Sequence, residues 1–96
     1  MTEVIWTPPA EAELDFIAEY IAKENPSAAA DIVKKVREKA ASLVQFPNRA
    51  PRGRMEDTRE LLVLPTPYII SYRVIEDTAW VLSVFDSARD FPKAVH

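Results

Sequence analysis

TPPAEAELDFIAEYIAKENPSAAADIVKKVREKAASLVQFP, residues 7–47, decides the fold. Thr7 followed by Pro8 is a helix start, a hydroxyl N-cap ahead of a proline whose missing N–H costs nothing in the first turn. Ala10, Leu14, Ile17, Ala18 and Ile21 then recur at helical spacing, which predicts a helix over 8–24 with one apolar face. Asn25-Pro26 repeats the device. Ala29, Val33, Val36, Ala40 and Leu43 form the second stripe, and Pro47 sets the limit of the second helix. So short a joint predicts an antiparallel helical hairpin.

Outward from the hairpin the periodicity changes. Residues 3–7 read as a short strand rich in β-formers. Residues 47–58 read as a basic loop. Strands are expected over 59–64, 68–75 and 79–86, joined by Pro65-Thr66-Pro67 and Glu76-Asp77-Thr78. Joints this short give an antiparallel meander. The expected order is β-α-α-β-β-β, an α+β domain with the hairpin packed on a mainly antiparallel sheet. No linker or repeat divides the chain, so residues 1–96 read as one domain.

Simple alternation places Tyr68, Ile70, Tyr72 and Val74 on one face of the middle strand and Ile69, Ser71, Arg73 and Ile75 on the other. In the last strand it sets Trp80, Leu82 and Val84 against Ala79, Val81 and Phe85. Two helices cover one sheet face, and the other still carries apolar residues. That marks a partner surface, unless residues 87–96 fold back over it.

Composition limits the chemistry. The 96 residues include no cysteine, and the only histidine is His96, which excludes disulfides, thiolate metal sites and histidine clusters. No metal or cofactor is expected. No apolar run reaches membrane-spanning length, and the N-terminus lacks a basic-then-apolar leader, so a cytoplasmic protein is the expectation.

The net charge of −3 is unevenly distributed. Residues 1–31 carry −6, residues 32–59 carry +5 and residues 60–96 carry −2. Glu11, Asp15 and Glu19, spaced by four, read as a solvated helix face, and Asp31 with Lys35 as a helical ion pair. The loop concentrates Arg49, Arg52, Arg54 and Arg59 around Gly53. Arginine rather than lysine suggests forked contacts to carboxylate or phosphate. The competing expectation pairs these arginines with Glu56, Asp57 and Glu60. The lone glycine suggests a positive φ.

Several segments together carry a family resemblance. They are Trp6 with Ala10, Glu11 and Leu14, Ile17 through Tyr20-Ile21, Asn25-Pro26 with Ala28-Ala29, and Leu43 with Phe46-Pro47. Further along come Gly53-Arg54, Thr58-Arg59-Glu60-Leu61, Pro67-Tyr68-Ile69-Ile70, Tyr72-Arg73-Val74, and Ala88-Arg89-Asp90 with Pro92. In this order, over residues 4–92, the chain resembles the ParE/RelE superfamily of toxins from type II toxin–antitoxin systems. Asn25 to Ala29 and Thr58 to Leu61 are most similar to its ParE-type, plasmid-stabilisation branch. The chain departs from the pattern at Ala50 and Asp57, where members commonly have glycine, and at Asp86, where they often have histidine.

The ParE resemblance implies a non-enzymatic inhibitor of DNA gyrase, neutralised by a ParD-type antitoxin in a heterotetramer or larger assembly. Arg52, Arg54, Arg59, Arg73 and Arg89 are the expected target or anion contacts. Leu62, Leu64, Tyr68, Ile70, Tyr72 and Phe85 are the expected antitoxin contacts. The RelE branch implies a metal-independent, ribosome-dependent messenger-RNA endoribonuclease, with Arg54, Arg59 and Arg89 stabilising the phosphate. A third alternative is a remnant that binds antitoxin without toxicity. Metal-free RNA cleavage needs a base and an acid beside its cations. This chain offers arginines without an evident proton-transfer partner.

Overall fold

The computed structural model describes residues 2–88. β1 (Glu3–Trp6) leads into α1 (Pro8–Ala22) and α2 (Pro26–Ala41), and a 3-10 turn over Ser42–Val44 follows. Then come β2 (Arg59–Leu62), β3 (Tyr68–Ile75) and β4 (Thr78–Asp86). The expected α+β order is the one observed. The two helices pack on a four-stranded mixed sheet of order β1-β4-β3-β2, antiparallel except where β1 runs parallel to β4.

Both cap-and-proline signals operate as read. Thr7 Oγ1 accepts the Ala10 N–H at 3.4 Å and donates to the Val81 carbonyl at 2.7 Å, so one hydroxyl starts α1 and ties it to β4. Asn25 Oδ1 accepts the Ala28 N–H at 3.0 Å. α2 ends earlier than the distance to Pro47 suggested. Ser42 Oγ donates to the Lys39 carbonyl at 2.6 Å, and a hydroxyl that competes for a backbone carbonyl favours ending a helix there. The Asp31–Lys35 ion pair forms on the exposed side of α2.

The core lies between the hairpin and one sheet face. Ala10 and Leu14 of α1, Val36 and Ala40 of α2, and Leu43 of the 3-10 turn meet Ile70, Tyr72 and Val81 of the sheet. Ala10 and Ala40 let the helix backbones approach, and the larger side chains fill the space between helices and strands.

One irregularity changes which side chains face in. Tyr72 pairs with Val81, but Ser71 pairs with Ser83, so Leu82 is the extra residue of a β-bulge. The extra residue reverses the alternation. Ala79, Val81 and Val84 all lie in the core, which corrects the grouping of Val84 with Trp80 and Leu82. The Val84 N–H is satisfied by the Glu13 carboxylate of α1, at 3.0 Å. Among the described residues no helix is long and apolar enough to cross a membrane. Residues 89–96, which could have covered the far sheet face, lie outside the described residues.

Candidate functional site: an arginine-lined concavity

The segment after Pro47 is pinned at both ends. The Tyr72 hydroxyl, rising from the core, donates to the Pro47 carbonyl at 2.7 Å. Burial pushes the Tyr72 phenol above its ordinary pKa, although the adjacent backbone and the Arg59 and Arg49 charges act the other way. At the far end Arg52 bridges Arg59 in antiparallel fashion, the Gly53 N–H donates to the Thr58 carbonyl at 2.7 Å, and the Glu60 N–H donates to the Pro51 carbonyl at 3.1 Å. The loop thus folds back along β2.

Gly53 does not occupy positive φ, contrary to the expectation for a lone loop glycine. Its role is close packing. A Cβ there would lie 2.5 Å from Thr58 Oγ1 and 3.0 Å from Glu60 Cγ. Thr58 cannot swing aside freely, since it is buried and its hydroxyl donates to the Met55 carbonyl at 2.6 Å. The positive φ falls instead on Asp57, at 60°, where members of the resembled family commonly have glycine. Aspartate is among the few side chains that tolerate this region.

Four of the five expected arginines line a single open concavity of about 840 Å³: Arg52, Arg54, Arg59 and Arg73. Arg89 lies outside the described residues. Arg59 Nη1 donates to the Ala50 carbonyl at 2.5 Å and more weakly to that of Asn48 at 3.3 Å. Arg73 donates to the Glu56 and Asp57 carbonyls at 3.2 and 3.4 Å. Neutral carbonyls therefore orient these two guanidinium groups without cancelling their charge. Arg54 differs. Its backbone N–H and Nε donate to Glu60 Oε2 at 2.9 and 2.8 Å, and its Nη2 to Oε1 at 3.1 Å. Burial alone would raise the Glu60 pKa, but the Arg54 hydrogen bonds and charge together hold it below the ordinary carboxylate value. Of the three acids expected to pair with the loop arginines, Glu60 alone does so among the described residues. Arg49, outside the concavity, donates to Ser42 Oγ at 3.0 Å.

The expected docking residues separate. Leu62 and Leu64 stand at the β2 edge, 49% and 71% exposed. Ile70 and Tyr72 are wholly buried beneath the helices, and Tyr68 packs against the same core. Ile70 and Tyr72 are therefore removed from the docking set, because their face of the sheet is the one the hairpin covers. Phe85 lies on the other face, 8% exposed, with the Arg54 guanidinium 5.2 Å from its ring centre. Phe16 and Tyr20, which are not among the expected docking residues, are 66% and 60% exposed. Their four-residue spacing, offset from the stripe of Ala10, Leu14 and Ile17, was the available signal. Asp86, at the position where the resembled family often has histidine, accepts the Ala88 N–H at 2.8 Å and closes a local turn.

Residues 4–91 match the family model described as ParE toxin of type II toxin–antitoxin system, parDE. The chain belongs to the ParE toxin family. It is 36% identical over 90 residues to Putative toxin Y4kP of Sinorhizobium fredii, covering 94% of this chain and 93% of that one. It is 35% identical to Toxin RelE2 of Caulobacter vibrioides, covering 93% of this chain and 99% of that one. Among solved structures, a chain of the chromosomal ParDE system from P. aeruginosa superposes with a TM-score of 0.82 at 26% identity, covering 90% of this ParE-family chain and 96% of that chain. The isolated RelE toxin of E. coli shares the fold at a TM-score of 0.65 and 17% identity, with 99% and 94% covered.

Proposed function

We propose that this ParE-family toxin is a protein-binding inhibitor of DNA gyrase, and that a ParD-type antitoxin neutralises it in a heterotetramer or larger complex. The observation that carries this reading is the match of residues 4–91 to the ParE toxin family model, beside a closer superposition on the ParDE chain than on the isolated E. coli RelE toxin. The chemistry of the concavity bears on the nuclease alternative. A metal-free ribonuclease needs a group that takes a proton from the ribose hydroxyl and one that returns a proton to the leaving oxygen. The concavity offers guanidinium groups and the carboxylates of Glu56 and Asp57, while Tyr72 lies outside its lining, donates to a backbone carbonyl and has its pKa raised by burial.

In this reading the antitoxin docks an amphipathic segment against apolar surface. Leu62 and Leu64 at the β2 edge remain the sequence-derived candidates that the fold leaves exposed. The 35% likeness to a toxin named RelE2, together with the arginine-lined concavity, keeps messenger-RNA cleavage as the second reading.

Induction of the chain in a bacterial host separates the readings. Filamentation, a DNA-damage response and trapped gyrase–DNA complexes are expected. Rapid translation arrest with cut messenger RNA and unimpaired gyrase would overturn the gyrase reading in favour of the nuclease. Growth without any effect would favour a non-toxic antitoxin-binding remnant.

A further inference from the structure

We propose that the arginine-lined concavity binds a short oligophosphate, either free pyrophosphate or the phosphate chain of a nucleoside di- or triphosphate. Nothing in this site depends on what the toxin inhibits. Arg52, Arg59 and Arg73 face one space, and none of them forms an ion pair with a carboxylate among the described residues. Arg59 and Arg73 are already oriented by the carbonyls of Ala50, Asn48, Glu56 and Asp57. The Arg52 guanidinium makes no hydrogen bond to the described residues. These three guanidinium groups outnumber the two carboxylates, Glu56 and Asp57, that line the same space, and an anion with several acceptor oxygens can take forked contacts from more than one of them.

The size and rim of the site select the class of anion. A volume of about 840 Å³ suits a small ligand. One carboxylate offers two oxygens to a single fork, whereas linked phosphates can engage several guanidinium groups at once. Among the described residues the lining contains no aromatic ring on which a base of a single strand could stack. Glu56 and Asp57 also line the concavity, so a long polyanion passing through would meet two negative charges. The apolar part of the lining is Met55, Val74 and Ile75, which can support a nucleoside without stacking it.

The test is calorimetric titration at low salt with pyrophosphate, ADP, citrate and a single-stranded oligonucleotide, together with thermal melting of the same mixtures. Saturable one-to-one binding of pyrophosphate or ADP is expected, with a raised melting temperature that added salt diminishes. Arg52→Ala should weaken pyrophosphate binding by about tenfold or more, since hydrogen bonds to charged groups contribute at least that much. Arg73→Ala should do the same, and Lys34→Ala on α2 should not. If Arg73→Ala disorders the loop, Arg52→Ala still decides, because that guanidinium anchors nothing else in the described fold. Absence of saturable pyrophosphate and ADP binding overturns the proposal. So does citrate binding as tightly as pyrophosphate, which would mean a generic anion patch. Preference for the oligonucleotide overturns it as well, and assigns the concavity to nucleic acid.

Discussion

Arg37 of α2 grips Glu11 of α1 with both terminal nitrogens, at 3.0 and 2.7 Å, while its guanidinium lies 4.5 Å from the ring centre of Trp6. One side chain thereby joins both helices to β1. The pair is about 40% exposed, so it is a positioning contact more than a large source of stability.

The Arg37 hydrogen bonds, reinforced by its charge, outweigh burial and hold the Glu11 pKa below its ordinary value of 4.5. The sign follows. A carboxylate depressed in the folded state contributes stability above its unfolded pKa and loses it as pH falls through the folded one. Thermal melting between about pH 5 and about pH 3 should show a shallower decline for Glu11→Gln than for the native chain. Glu60, depressed beside Arg54, keeps its own acid dependence in that variant.

Trp6 is half-buried against the core beneath Arg37. Trp6→Ala should lose about 2–4 kcal/mol, somewhat below a fully buried tryptophan, by denaturant unfolding. A loss within experimental error would show that the ring contributes nothing to closing the hairpin on β1.

Gly53→Ala sets a methyl group against the immobilised Thr58 hydroxyl. Overpacking of this kind costs about 1–3 kcal/mol. The loss should appear in the melting temperature and in faster amide exchange at Thr58 and Glu60. Thr58→Ala in the same chain should restore part of it.

Arg59 was expected to contact the target, yet its guanidinium ties down the loop. Arg59→Ala leaves the Ala50 carbonyl without this partner and should destabilise by about 1–3 kcal/mol. Tyr72→Phe, which removes the bond to Pro47, should cost about 1 kcal/mol. An Arg59→Ala variant that melts like the native chain would return Arg59 to a purely functional role.

Asp57 occupies φ 60°. Glycine adopts that conformation without a Cβ penalty, so Asp57→Gly should keep or raise stability by up to about 1 kcal/mol. A clear loss would mean that the aspartate side chain itself holds the loop.

The fold was legible because its punctuation is local. Thr7-Pro8 and Asn25-Pro26 announce the helices through backbone chemistry that needs no tertiary partner, and the period-2 runs announce the strands. The bulge at Leu82 was not legible, since an extra residue leaves no trace in the composition of β4, and it turned Val84 inward. The Glu11–Arg37 pair spans two helices, and only their packing brings it together. At the candidate site the arginines were visible as a cluster. Their division into one neutralised by Glu60, two held by carbonyls and one without a bond in the described fold depends on how the loop doubles back on β2.

β4 lies between β1 and β3, so the middle of the sheet is made of the last strand in the chain order. Glu3 must wait for Thr78, and Trp6 for Val81. Pairings this distant in sequence close slowly and late. A ribosome that has translated only the first three strands has produced the hairpin, the arginine loop and the β2 and β3 segments it folds against, but a chain ended there lacks the strand that joins β1 to them.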